Sequence, residues 1–216
     1  AYWPLAETSG STVTDASGNG RSGTYTAVTL GATGIGDGRT AATFDGSTSF
    51  ANVYSASLDS AFNNQEITLA CWMQVSAVGV WTDAANRCMA HLGADITNNF
   101  VRIIKTTVDN TLQVRYAAGG TLKTASFVVA SPTVWVHVAV TVSKAADEVK
   151  MYVNGVQQGG TQTALGIWAG ALGSTFCTIG VQRTTLTMPW SGNLAHVAVW
   201  ASALTAAQIG ILATVA

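Results

Sequence analysis

Few side chains in this 216-residue chain are of a type that performs chemistry, and their spacing limits what they can do. Cleaving a glycosidic bond takes two carboxylates that face each other across it. The glutamates are Glu7 in a Ser/Thr-rich opening, Glu66 just before an apolar run, and Glu148 beside Asp147 in a polar turn. None of these spacings makes a facing pair. His91 and His137 stand among alternating apolar residues and His196 opens another such run, so each reads as a sandwich residue rather than a base or ligand. No H-x-H, H-E-x-x-H or G-x-S-x-G pattern occurs. The expectation is a protein without catalysis.

Binding is better represented. Trp81, Trp168 and Trp190 are each flanked by loop-type residues, and an exposed indole offers a flat apolar face that stacks on a sugar ring. Asp83 and Asn86 would be the polar neighbours that bond sugar hydroxyls. The competing reading has the same tryptophans plugging the ends of a sandwich or buried in a subunit contact. Trp3, Trp72, Trp135 and Trp200 lie in strand-like segments and read as packing.

These residues need strands to position them. In Trp135–Gly155, Val136, Val138, Val140 and Val142 alternate with His137, Ala139 and Thr141, the period of two of a strand with distinct faces. Val149, Met151 and Val153 alternate in a second strand, with a polar turn between the two and Asn154-Gly155 opening the next. In Ile67–Val75 the residues Ile67, Leu69, Cys71, Met73 and Val75 share one face while Trp72 and Gln74 point the other way. Asp109-Asn110 and Gly119-Gly120 mark hairpins, giving roughly a dozen strands. At the tail, Thr205 with Gln208 three residues later forms a capping-box pattern, so one short helix is expected there.

Composition narrows the class. Charged residues make up 10% of the chain and the net charge is −1, which leaves no basic stripe for phosphates and argues against nucleic acid. The longest apolar runs fall short of the ~20 residues a membrane span needs, so no membrane insertion is expected. Cys71, Cys88 and Cys177 sit inside apparent strands, outside zinc spacing, and their odd number argues against a disulfide framework; buried free thiols are expected, with one disulfide and one odd thiol as the alternative. No signal-peptide pattern opens the chain, and Ala1 is what either initiator-Met removal or signal cleavage would leave.

Several segments together resemble one family. The opening with Tyr2, Leu5, Asp15, Ser17, Gly18, Asn19, Gly20 and Gly23, the Phe44-Asp45-Gly46-Ser47 hairpin, the W-x-H-V-A-V-T and M-Y-V-N-G pair, and an ending matched by Gly192, Leu194, Val197, Val199, Trp200, Leu204, Thr205 and Ile209 are similar to laminin G-like domains of the concanavalin A-like lectin/glucanase superfamily. The resemblance implies an all-β jelly-roll sandwich of two antiparallel sheets with a short C-terminal helical turn, spanning residues 1–216 as one domain. The E-x-D-x-x-E strand of the superfamily's glucanases is absent. Family members hold calcium through carboxylate and carbonyl oxygens, a shell that Asp15, Asn19 and Asp45 suit in type, although Ala195 stands where an Asp is usual.

The expected function is therefore a non-catalytic binding or adhesion module. It would recognise a surface glycan as a homo-oligomer or part of a larger assembly, such as a bacteriophage head-decoration or fibre protein, on a virion surface or outside the cell. A purely structural virion protein contacting only other subunits, and a degenerate glycoside hydrolase, are the alternatives.

Overall fold

Two long strands pair antiparallel at the centre of one sheet, and the rest is laid around them. The computed structural model describes residues 1–108, 110–130 and 133–214. Along the chain come β1 (Tyr2–Trp3), β2 (Thr12–Val13), β3 (Gly23–Thr26), β4 (Thr29–Thr33), β5 (Thr40–Asp45), β6 (Phe50–Asn52) and helix α1 (Ala56–Ala61). The middle holds β7 (Glu66–Val75), helix α2 (Val78–Thr82), β8 (Arg87–Gly93), β9 (Phe100–Lys105), β10 (Thr111–Ala118) and β11 (Thr121–Val128). There follow β12 (Val136–Ser143), β13 (Glu148–Val153), β14 (Val156–Gln162), β15 (Cys177–Ile179), β16 (Ser191–Trp200) and helix α3 (Ala206–Leu212).

The first sheet runs β14-β13-β12-β7-β16-β5-β4, with β1 also pairing β16; the second runs β11-β10-β9-β8-β15-β6-β3-β2. Every pairing among the described strands is antiparallel, so this is the expected all-β jelly-roll-like sandwich. The alternation read from sequence becomes the core: Leu69, Cys71 and Met73 of β7 and Val138, Val140 and Val142 of β12 meet Met89, Leu92, Val101, Ile103 and Val114 of the second sheet. The hairpin signals hold. Asn154 and Gly155 turn with φ of 47° and 80°, and Gly119 and Gly120 with 54° and 79°, as a two-residue hairpin loop requires. Of the Asp109-Asn110 signal, Asp109 lies outside the described residues.

Four differences from the sequence reading have local causes. The Ser/Thr/Gly-rich opening contains β2, β3 and β4, and the segment after Gly155 contains β14; these strands at or next to the sheet edges carry too few apolar residues to show a period. Two one-turn helices, α1 and α2, join α3, so the tail is not the one helical piece. Their brevity hides any helical period, although Ser55 caps α1 by accepting from the Leu58 N–H. The capping box on α3 forms as read, with Thr205 and Gln208 bonding reciprocally. His196 stands inside β16 rather than at its start.

All three cysteines are unpaired and buried. Burial pushes the Cys88 and Cys177 thiols up to about 12, the behaviour of inert small hydrophobes.

Candidate functional site

The loop tryptophans do not present stacking faces. Trp81 and Trp190 are 1% and 0% exposed and Trp168 is 6% exposed. The Trp81 indole N–H donates to the Val129 carbonyl at 2.8 Å, and Trp168 sits edge-on to Phe62 with ring centroids 4.8 Å apart. Nor are the three together. Trp168 packs with Phe62 and Tyr116 near the start of β7, whereas Trp190 precedes the end of β16 that pairs with Val75, at the far end of β7. Ten extended residues separate those ends by about 30 Å. The expectation that each of these tryptophans offers an exposed stacking face is therefore corrected to its competitor: the rings close the ends of the sandwich, where apolar area is removed from water.

Asp83 and Asn86 are likewise engaged within the fold. Asp83 lies 2.5 Å from the Arg87 guanidinium and 2.5 Å from the fully buried Lys105 ammonium, which also reaches the Asp83 and Ala85 carbonyls. Burial works to raise the Asp83 carboxyl, but the bonds from Arg87 and Lys105 outweigh it and hold it below the usual range. Asn86 accepts the Thr107 N–H at 3.2 Å.

The calcium candidates do not fit a metal. Asp15 accepts the N–H groups of Tyr2, Ser17 and Arg21; they overcome the effect of burial and bring its carboxyl down to about 2. Asp45 accepts the N–H groups of Ser47, Thr48 and Ser49 plus two hydroxyls in its own turn, and Asn19 donates to Ser17. These carboxylates face donors that occupy the lone pairs a cation would need. No cluster of three His, Cys, Asp or Glu side chains exists among the described residues.

The glutamates are also spent separately. Glu7 accepts from the Thr14 N–H and the Tyr25 hydroxyl, Glu66 from Ser143, and Glu148 pairs with Lys150.

What the structure does assemble is a cleft of about 400 Å³ on the solvent side of the first sheet. Its floor is a cross-strand row: His137 of β12 lies opposite Trp72 of β7, which lies opposite Ala195 of β16, with Ala139, Ala70 and Ala198 as the next row. The alanines leave space, while the Trp72 and His137 rings meet at 5.4 Å between centroids. Trp200 and Leu212 of α3 wall one side; Ile35, Asp37 and Tyr2 wall the other. A bulge in β16 between Ala195 and Ala198 places His196 at φ 50° and turns it into this wall. Bulges re-aim side chains, and positive φ at a non-glycine residue is held only where the surroundings require it.

The polar groups of the cleft form a line. The Tyr2 hydroxyl is 2.7 Å from His196 Nδ1, and His196 Nε2 is 3.1 Å from the Asp37 carboxylate. The Tyr2 contact is a hydrogen bond, whereas His196 Nε2 lies close to Asp37 without hydrogen-bond geometry. Burial lowers the His196 pKa, opposed by Asp37; His137, enclosed at 2% exposure, is pushed down to about 4 by burial and then by His196. His137 Nδ1 is buried without a hydrogen-bond partner. From the sequence Trp72 and Trp200 read as packing and the histidines as satisfied sandwich residues; Trp72 is packed as expected, while Trp200 is only partly buried. The available signal was Trp72 itself, a large aromatic on the face opposite the core series.

The fold is that of a lectin-like jelly-roll sandwich. Residues 45–210 match the laminin G family model of the concanavalin A-like lectin/glucanases superfamily, and the chain belongs to that family. None of the curated proteins matches it in sequence. Among solved structures it is similar to domain 4 of AbnA, an extracellular GH43 arabinanase from Geobacillus stearothermophilus in complex with arabinotriose, with TM-score 0.59 and 19% identity over 88% of each chain. It is also similar to the CBM40 of Ruminococcus gnavus IT-sialidase bound to α2,3-sialyllactose, with TM-score 0.57 and 12% identity over 73% of this chain and 88% of that one. The binding domain of botulinum neurotoxin serotype D gives TM-score 0.69 and 10% identity over 98% of this chain, which spans half of that domain's length.

Proposed function

We propose that this protein is a non-catalytic glycan-binding module whose sugar site is the cleft on the first sheet. The observation that carries the reading is the aromatic wall of Tyr2 and Trp200, both partly exposed above the buried Trp72, set against Asp37 and His196. Apolar ring faces with a few fixed polar groups are what a pyranose or furanose demands. At about 400 Å³ the cleft is near the small end of ligand sites, ~300–1,000 Å³, so it suits a short saccharide or chain end. That arabinotriose and sialyllactose occupy domains of this fold supports the class of ligand without naming it. Absence of catalysis belongs to the same reading: the cleft holds one carboxylate, Asp37, where glycoside cleavage needs a facing pair. A site outside the cell or on a particle surface belongs to it too.

The test is a glycan array followed by calorimetry on the wild type, Tyr2→Phe and Asp37→Asn. Binding weakened about tenfold or more in both variants at unchanged melting temperature is expected. Failure of a folded sample to bind any glycan, or binding indifferent to both substitutions, overturns the reading.

A second reading, a structural subunit of a larger assembly such as a virion, is favoured by one feature. Leu122 and Val128 of β11 and Val156 of β14 are exposed at 51–65%, and exposed apolar side chains recruit neighbours. Light scattering across protein concentration tests it: a monomer throughout excludes self-assembly.

A further inference from the structure

The outer face of the second sheet carries a charge that nothing in the fold answers. Residues opposite one another across six strands, Asn52, Thr178, His91, Arg102, Arg115 and Thr124, form one polar row. The adjacent row of Ala51, Ile179, Ala90, Ile103, Val114 and Ala125 points into the core, so the register assigns the polar row to the outside. Arg102 stands at its middle, only 6% exposed, with Nε and Nη1 enclosed and without a hydrogen-bond partner. Its guanidinium lies 4.1 Å above the Phe100 ring, and the His91 ring stacks beside that same Phe at 5.6 Å.

The neighbouring charges make the isolation worse. Arg115 sits directly opposite Arg102 and has its Nε bound to Gln113 at 2.9 Å. Like charges directly opposite in a sheet repel, and a buried cation without a counter-charge is costly. Among the described residues no Asp or Glu pairs with either arginine. His91 is buried with Nδ1 unpartnered, and burial together with Arg102 keeps it neutral, so it adds a hydrogen-bonding group without adding charge.

We propose that this belt is a second binding site, separate from the cleft, and that it takes a small carboxylate-bearing ligand at the Arg102–Arg115 pair. A carboxylate supplies the negative charge that Arg102 and Arg115 lack and relieves the repulsion between them. Phe100 beneath Arg102 holds the guanidinium plane in place.

The probe is glucuronate, with glucose and acetate as controls, titrated calorimetrically at millimolar concentration into the wild type, Arg102→Met, Arg115→Gln and Asp37→Asn. Glucuronate binding weakened more than about tenfold in both arginine variants and kept in Asp37→Asn is expected, the cost of losing one bond to a charged group. Acetate binding with the same dependence also supports the site and assigns recognition to the carboxylate alone. Arg102→Met should raise the melting temperature of the free protein, because it removes an uncompensated cation. Glucuronate binding absent in the folded wild type, binding equal to that of glucose, or a lower melting temperature in Arg102→Met overturns the proposal.

Discussion

At the scale of single residues, the polar groups that look most reactive in this protein hold its structure. Lys105 is a fully buried cation whose charge is answered by Asp83 and two carbonyls. Asp83→Ala is therefore expected to cost about 3 kcal/mol by leaving that ammonium without its counter-charge, and the double variant Asp83→Ala/Lys105→Met to recover most of the loss. Urea melts of the two proteins check it; equal stability of wild type and Asp83→Ala would show that the carbonyls alone suffice. The same logic governs Trp81, Trp168 and Trp190. Truncating such buried rings costs about 3–5 kcal/mol each, so alanine there reports on folding before it reports on binding. Their loop-like flanks were legible in the sequence, but exposure was not, because burial at a sandwich end depends on what distant strands bring over it.

At the scale of elements, β16 and α3 do most to shape the cleft. The bulge in β16 inserts a residue between Ala195 and Ala198, which gives His196 its direction, and α3 lays Ile209 on the small apolar patch of Ala70, Ala139 and Tyr152. Leu212 and Thr214 at its far end then reach the cleft. Thr205→Ala, which removes the cap, is expected to cost about 1 kcal/mol, a fall of roughly 2–4 °C in Tm for a chain of this size. Ile209→Ala, at a position with no exposure, should cost about 2–4 kcal/mol and weaken sugar binding as the wall loosens. Calorimetric scans rank the two; a larger effect from Thr205→Ala would mean that α3 is held by its cap and not by its apolar face. The capping box was readable from four residues. The bulge was not, since it is a mismatch between two strands more than a hundred residues apart.

At the scale of the whole molecule, two histidines buried in opposite sheets set the response to acid. Burial lowers His91 to about 3 and His137 to about 4, from the ordinary 6.5 that each regains on unfolding. Between pH 6.5 and 4 the unfolded chain therefore takes up protons that the folded chain refuses. Stability is fully present above pH 6.5 and falls as the pH drops, by up to about 1.4 kcal/mol per pH unit for each histidine. Below pH 3.8 a further loss follows as Asp15, held at about 2 when folded, is forced to protonate. Urea midpoints from pH 7.5 to 4.5 should decline accordingly, and His137→Gln should flatten the slope; a flat wild-type profile would show that neither histidine is buried in solution.

The sequence by itself determined the all-β class, the core faces of β7 and β12, the Asn154-Gly155 and Gly119-Gly120 turns and the cap of α3. Each of these depends on residues close together in the chain, where a period of two or a turn preference is a local property. Period also tells that Trp72 and His137 face away from the core series. It does not tell which strands lie side by side, and the cleft exists because β7, β12 and β16 set Trp72, His137 and Ala195 in one row. The Arg102 and Arg115 pair is the same kind of fact: two ordinary strand arginines in the sequence, and an unanswered charge only once β9 and β10 are in register. Tertiary structure alone decided both sites, because lateral strand order and register are set by packing the whole core rather than by any one segment.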